Sequence, residues 1–187
     1  MKTIDTMLEI QTLGHFSISV AGKNVATDWP DETVKLFFCS LLSPMVSNFT
    51  WDRICRTMWG VAVTRNSRLR LEEAFVRPMI SFMIKELGFN PIISGDDGIR
   101  INLHNIHMDA FEFHSSVVEG LRLLLLGNQA AAVEKFSSAN SLYVGSFLPG
   151  MPGKIIANTR NDLASLYRTN CSHGRNVAHS EFRLFGL

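Results

Sequence analysis

A helical pattern that runs straight into a tight hairpin constrains the fold of this chain more than any other feature. From about Arg68 to Leu87, apolar residues recur at helical spacing, and Gly88 follows as a helix stop. Two short strands are predicted at 91–94 and 98–103, joined through Gly-Asp-Asp-Gly at 95–98, whose Asp-Gly step suits a hairpin backbone with positive φ. A helix followed at once by a hairpin predicts a winged helix, in which the helix enters a DNA groove and the hairpin contacts the backbone.

Alternating polar and apolar residues at the start of the chain predict three short strands. Residues 7–13 and 15–20 alternate at period two, with Gly14 between them. A glycine-bearing turn then leads to a short third strand near 24–26. We therefore expect a small sheet before the first helix.

Two helices with recognisable caps are predicted between these strands and the long helical pattern. Asp31 can cap a helix over 32–42, whose apolar residues form one stripe. Thr50 or Asp52 can cap the segment WDRICRTMW, which Gly60 ends. These helices complete the part of the chain that precedes the long helical pattern.

Pro78 leaves two interpretations of the long helical pattern open. Proline lacks a backbone N–H and clashes with the preceding turn, so it can kink one helix. Proline is also favoured in the first turn of a helix, so a second helix can begin there. The sequence does not decide between one kinked helix and two abutting helices.

Three further helical segments follow the hairpin. The pattern predicts a helix over 107–127 with Asp109 as its cap, a second over 129–143, and a third from 154 to about 178. Alanine at close-packing positions of the second segment is typical of tetratricopeptide-like hairpins. One hairpin and a following helix are too few to indicate a repeat array.

The order of the elements divides the chain into two predicted domains. Strands and helices are mixed up to position 104, whereas only helices are predicted after it. Hydrophobic residues make up 46% of the 187 residues, which is ample material for a core. The expected fold is an α+β winged helix-turn-helix followed by an all-α, tetratricopeptide-like helical module, with domains over 1–104 and 105–187.

Composition and motifs argue against several other classes of protein. The three cysteines form no CxxC pair, which fits buried free thiols in a reducing cytosol. No signal-peptide pattern or long apolar run is present, so we expect a cytoplasmic protein without a membrane partner. No catalytic, metal-binding or phosphate-loop signature stands out, so we expect neither an enzyme nor a cofactor, metal or small-molecule site.

Six segments, spread in order over about residues 8–170, carry a family resemblance. They are LEIQTLGHFSISVAG, WDRICRTMWG, KELGFNPIISGDDGIRINL, MDAFEFHSSVVEG, AVEKFSSANSLYVGSFLPG and NDLASLY. They resemble bacterial transcriptional activators of the SARP type, which join an OmpR/PhoB-like winged helix to a bacterial transcriptional activation domain (BTAD). The resemblance implies promoter binding, a recognition helix at about 78–87, a wing at 98–101, and a BTAD truncated to its first helices.

The expected recognition helix departs from the family pattern. Phe82 and Ile84 stand where the family usually has arginines, and only Lys85 keeps a positive charge. DNA affinity comes mostly from Lys and Arg side chains that neutralise phosphates. The second half of this helix therefore offers little charge for DNA.

Positive charge is concentrated before the apolar part of the helix. The formal net charge of the chain is only +1, but five arginines and no acid lie between Arg53 and Arg70. These arginines can contact phosphates, or they can be solvated charges that pair in part with Glu72 and Glu73. The predicted DNA-binding residues are Arg65, Arg68, Arg70, Arg77, Lys85 and Arg100.

The apolar residues of the long helix cover more than the single stripe that a surface helix needs. The excess predicts a second buried face, packed against the chain's own helical module or against a partner or second copy. Direct contact of these side chains with DNA is the third interpretation. The predicted protein-interface residues are Met79, Phe82 and Ile84.

Two functional hypotheses follow from these patterns. In the first, the chain is a transcriptional regulator that binds promoter DNA as a dimer, with the helical module contacting protein. In the second, a degenerate winged helix acts as a protein-interaction or dimerisation scaffold that does not bind DNA. The expected partners are double-stranded DNA and a second copy of the chain or another protein. The burial of Phe82 and Ile84 in the folded chain bears directly on this choice.

Overall fold

Two small sheets and a series of helices make up the described part of the chain. The computed structural model describes residues 7–25, 27–104 and 106–171. Within these ranges, no helix is long and apolar enough to cross a membrane. The strands are β1 Leu8–Gln11, β2 Ser17–Val20, β3 Lys23–Val25, β4 Phe49–Thr50, β5 Ile92–Ser94, β6 Gly98–Ile101 and β7 Ile106–Met108. The helices are α1 Glu32–Leu41, α2 Trp51–Trp59, α3 Arg65–Leu71, α4 Arg77–Leu87, α5 Asp109–Leu125, α6 Gln129–Leu142 and α7 Lys154–Asn170, with a π-helical turn at Glu72–Val76.

The first sheet has the strand order β3-β2-β1-β7. The antiparallel pairs β1–β2 and β2–β3 confirm the three predicted strands, although Ala26 lies outside the described residues. β7 pairs in parallel with β1 and includes the first two residues of the helix predicted over 107–127. A strand of three residues is too short for its periodicity to be distinguished from that of a helix.

The hairpin belongs to a three-stranded sheet of order β4-β6-β5, which we call the wing. β5 and β6 pair antiparallel, which confirms the predicted hairpin, and the two-residue strand β4 adds to its other side. The predicted positive φ at the Asp-Gly step is wrong, because neither Gly95 nor Gly98 has a positive φ. Glycine is required at position 98 for a steric reason, because a Cβ there would lie 2.2 Å from the carbonyl oxygen of Phe49 in β4.

The long helical pattern forms one continuous helix, which we call the α3–α4 helix. It begins at Arg65, ahead of the predicted start, because Thr64 caps it by accepting a hydrogen bond from the Ser67 N–H at 3.1 Å. Gly88 ends it in the left-handed conformation with φ of 77°. The predicted glycine stop is thereby confirmed.

A π-helical turn lies directly before Pro78 in this helix. The Arg77 N–H donates to the carbonyl of Glu72, five residues back, which widens the helix by one residue at this point. Pro78 cannot donate to the preceding turn, and a wider turn accommodates its ring. Of the two interpretations of Pro78, the structure has a single helix with a π-helical turn.

The helical module consists of α5 and α6 packed together, with α7 beside them. Gly120 of α5 lets Phe136 of α6 approach, since a Cβ there would lie 2.7 Å from the Phe136 ring. Tyr143 and Tyr167 stack with ring centroids 4.2 Å apart and join α7 to the end of α6. The three predicted helices are confirmed within the described residues, and the predicted extension to 178 lies beyond them. Asp109 is the first residue of α5 rather than its N-cap.

One hydrophobic core continues across position 104. Leu13 forms a β-bridge with Phe147, and the hydroxyl groups of Ser43 and Thr159 are 2.7 Å apart in the buried contact between the end of α1 and α7. Arg160 of α7 donates to the Phe147 carbonyl at 2.7 Å and also holds the loop that follows it. The division into domains at 104 stays a prediction, since both sides of it share these contacts.

Candidate nucleic-acid interface

One face of the α3–α4 helix is exposed along its whole length. Exposed positions recur every three or four residues, which is the spacing of a single helix face. Three of these positions are basic, and one, Glu73, is acidic. The exposed residues of this face, called the helix strip below, are Asn66, Leu69, Arg70, Glu73, Ala74, Arg77, Ser81, Ile84 and Lys85.

Four of the predicted DNA-binding residues extend from this helix into solvent. Arg70, Arg77 and Lys85 belong to the helix strip, and the side chain of Lys85 is 80% exposed. Arg65 is exposed at the first residue of α3, where the unpaired N–H groups of the helix also attract anions. Arg70 lies over Trp59, with its guanidinium carbon 5.6 Å from the ring centroid. Within the described residues, the side chains of Arg65 and Arg77 make no hydrogen bond or ion pair.

Arg68, in contrast, is held by contacts inside the protein. Its Nε donates to Glu72 at 2.8 Å, and its Nη2 lies 3.5 Å from the Asp96 carboxylate in the wing. Its guanidinium carbon is 5.1 Å from the ring centroid of Trp51. The hydrogen bond with Glu72 raises the pKa of Arg68, so the side chain keeps its charge. The structure therefore separates Arg68 from the four solvent-exposed cations of this helix.

The three predicted interface residues fall into two groups. Met79 is fully buried, and Phe82 is 7% exposed with its ring 4.6 Å from that of Trp29. Both side chains therefore lie in the hydrophobic core. Ile84 is 47% exposed and lies in the helix strip between basic residues. Most of the apolar residues that exceed a single helix stripe thus belong to one broad buried face.

Arg100 lies on β6, outside the helix strip. It pairs with Ile93 of β5 and borders an open cavity of about 280 Å³ between the wing, the end of α1 and the start of α5. Leu41, Phe49 and Phe111 line other parts of this cavity. Arg100 is exposed, but its neighbours differ from those of the four cations on the α3–α4 helix.

A patch of exposed apolar side chains lies where α5 ends and α6 begins. Leu125 is 89% exposed, which is unusual for a leucine. Arg122 within this region is neutralised by Glu119, whose carboxylate it contacts at 2.7 Å. The members of the patch, called the leucine patch below, are Val118, Leu121, Leu124, Leu125, Leu126 and Val133. This patch is not among the predicted interface residues, and the apolar run at 123–126 is the signal that could have located it.

Two residues, Trp51 and Asp109, make long-range contacts that no local sequence signal predicts. Trp51 is buried and donates from Nε1 to the Gly95 carbonyl at 2.9 Å, which attaches the wing turn to α2. Asp109 accepts hydrogen bonds from the N–H groups of Thr12 and Leu13, at 2.9 and 2.8 Å. These contacts join segments far apart in the chain, so only the folded structure reveals them.

A comparison with solved structures finds a similar fold. The structure of Mycobacterium tuberculosis EmbR in complex with a low-affinity phosphopeptide matches 88% of this chain with a TM-score of 0.59 and 13% sequence identity. The chain spans 43% of the length of EmbR. This similarity supports a SARP-like fold, and an identity this low shows the fold alone. No protein-family model matches the chain, and no curated protein sequence matches it.

Proposed function

We propose that this chain is a transcriptional regulator that binds double-stranded DNA through the α3–α4 helix. The observation that carries the proposal is the helix strip, which presents Arg70, Arg77 and Lys85 to solvent. Most bulky apolar residues of the same helix are buried or half-buried, and only Leu69 and Ile84 are exposed within the strip. The SARP-like fold and the sequence resemblance support a regulatory role. Arg65 and Arg100 are the remaining proposed contacts.

The size and composition of the helix strip suit the major groove of B-DNA. An α-helix fits this groove, and long basic side chains on its surface reach phosphates on either side. The centre of the strip carries the small residues Ala74 and Ser81, which allow close approach. The side chain of Ile84 can contact a thymine methyl group, as apolar residues do in direct readout.

Replacing Arg77 with alanine tests the interface at its centre. Arg77→Ala is expected to weaken binding to all duplexes about equally and to reduce the slope of log affinity against log salt by about one unit. The measurement is fluorescence anisotropy of a labelled duplex over a series of salt concentrations. Lys135→Ala, an exposed lysine on α6, is the matched control and should leave the slope unchanged.

Two outcomes would contradict the DNA proposal at different levels. An unchanged salt slope for Arg77→Ala would remove this residue from the interface. If the unaltered chain bound no duplex even at low salt, where phosphate contacts are strongest, DNA binding itself would be refuted.

The leucine patch favours a second candidate function, a dimerisation scaffold, which is also compatible with DNA binding. Val118, Leu121 and Leu125 have the three- and four-residue spacing of a coiled-coil seam, which packs against a like helix. With the charge of Arg122 neutralised by Glu119, the seam of one copy can face that of a second. We propose a second copy of this chain as the occupant.

Leu125→Glu is expected to convert a dimer into a monomer. Two copies of the new carboxylate would be brought into an apolar contact, where unpaired charge is strongly unfavourable. Light scattering at several protein concentrations would report the mass. Val144→Glu changes another exposed apolar residue, outside the patch, and should not alter the mass. A monomeric unaltered chain, or a dimer that survives Leu125→Glu, would argue against this interface.

A further inference from the structure

The turn of the wing is fastened to two helices through its backbone carbonyl groups. The indole Nε1 of Trp51 in α2 donates to the Gly95 carbonyl at 2.9 Å, and the backbone N–H of Trp51 donates to the Asp97 carbonyl at 3.4 Å. From α3, Arg68 reaches the same turn and donates to the Asp96 carbonyl at 3.2 Å and to the Gly95 carbonyl at 3.4 Å. The wing is therefore tied to the helix that carries the helix strip.

Arg68 uses both ends of its guanidinium group in these contacts. Nε donates to Glu72 at 2.8 Å, and Nη1 and Nη2 face the wing turn. Nη2 also lies 3.5 Å from the Asp96 carboxylate, and the guanidinium carbon lies over the Trp51 ring, 5.1 Å from its centroid. Only arginine combines a planar fork of donors with a face that stacks on an aromatic ring. The side chain is one-third exposed, far less than that of Lys85 in the helix strip.

The charges around Arg68 oppose a phosphate contact and favour a role within the protein. Glu72 and Asp96 are both within ion-pair distance, so the positive charge is compensated locally. Asp96, at the fully exposed tip, would by itself repel a DNA backbone, and Arg68 reduces that repulsion. The same contact holds the tip at a fixed distance from α3.

We propose that Arg68 is a positioning residue that sets the wing against the α3–α4 helix before DNA arrives, and that it does not contact phosphate. Pre-set spacing of two DNA-contacting elements reduces the entropy lost on binding. The expected effect of Arg68 on DNA affinity rests on the proposed DNA-binding function. The contact itself can be tested without DNA.

The first test is amide hydrogen exchange of residues 92–101 in the full chain. In Arg68→Ala, exchange of the wing amides is expected to accelerate roughly tenfold because the wing loses its tie to α3. Arg68→Lys should accelerate exchange similarly, since a point charge cannot span Glu72 and two carbonyl groups at once. Arg77→Ala is the matched control and should leave wing exchange unchanged. Urea midpoints of all variants establish that each is folded.

The second test compares DNA binding by the same variants. Arg68→Ala is expected to lower affinity roughly tenfold while keeping the salt slope of the unaltered chain, whereas Arg77→Ala lowers the slope by about one unit. A loss of about one unit in the slope of Arg68→Ala, with wing exchange unchanged, would identify Arg68 as a phosphate contact and overturn the proposal. Restored wing protection in Arg68→Lys would also overturn it. If the unaltered chain bound no DNA, the proposed function would fail, and wing exchange alone would decide the role of Arg68.

Discussion

Gly98→Ala is expected to destabilise the protein by about 3 kcal/mol, although it adds a single methyl group. A Cβ at position 98 would lie 2.2 Å from the Phe49 carbonyl oxygen and 2.9 Å from the Thr50 Cα. Both obstacles are backbone atoms, so no side-chain rotation relieves the contact, and β4 must separate from β6. Urea unfolding followed by circular dichroism would measure the change as a lower midpoint at constant m-value.

Gly95→Ala is the matched control at the other end of the same turn. No atom lies within 4 Å of a Cβ built at position 95, and the backbone there does not have a positive φ. The free energy of unfolding should change by less than about 1 kcal/mol, with a slight increase if the unfolded chain loses freedom. Equal losses for the two substitutions would show that the approach of β4 is not the reason for glycine at position 98.

Local signals predict most of the helices and the strands that pair with chain neighbours. Asp31 and Thr50 cap α1 and α2 as their side-chain chemistry indicates, and Gly60 and Gly88 end α2 and the α3–α4 helix in the left-handed conformation. Each of these residues caps or ends a helix through backbone groups within a few positions of itself. Both partners of the interaction can therefore be read from a short stretch of sequence.

Contacts between distant segments account for what the sequence does not predict. β7 becomes a strand because β1 lies beside it, and nothing within residues 106–108 distinguishes it from a helix. The Asp-Gly step at 97–98 matches a common hairpin turn, but Gly98 is required by β4, which lies far away in the chain. Local patterns can identify an unusual residue without revealing its partner.

The candidate interface shows the same division. The sequence locates the positive charge on the α3–α4 helix, and Arg70, Arg77 and Lys85 are exposed there. It does not distinguish Arg68, because the Asp96 contact depends on how the wing folds back. Phe82 is buried by Trp29, a residue that no periodic pattern connects to it. Whether a side chain is exposed to a partner therefore depends on tertiary contacts that local sequence patterns do not show.

Asp109→Ala is expected to destabilise the protein by about 3 kcal/mol because it leaves buried donors without an acceptor. The carboxylate accepts from the Thr12 N–H at 2.9 Å, the Thr12 hydroxyl at 2.6 Å and the Leu13 N–H at 2.8 Å. Thr12 and Leu13 are fully buried, so water cannot easily replace these hydrogen bonds. Thr12 also accepts a hydrogen bond through its carbonyl from the Leu148 N–H at 2.7 Å. The destabilisation therefore extends to the loop before α7.

Two further variants separate the loss of these hydrogen bonds from the loss of a charge. Asp109→Asn keeps the shape and one acceptor oxygen, so about half of the destabilisation should remain. Asp162→Ala removes an exposed carboxylate from α7 and should change the free energy of unfolding by less than about 0.5 kcal/mol. Equal, small effects for Asp109→Ala and Asp162→Ala would mean that Asp109 does not fasten α5 to the end of β1. A large effect for Asp109→Ala alone would identify this carboxylate as the link between the first sheet and the helical module.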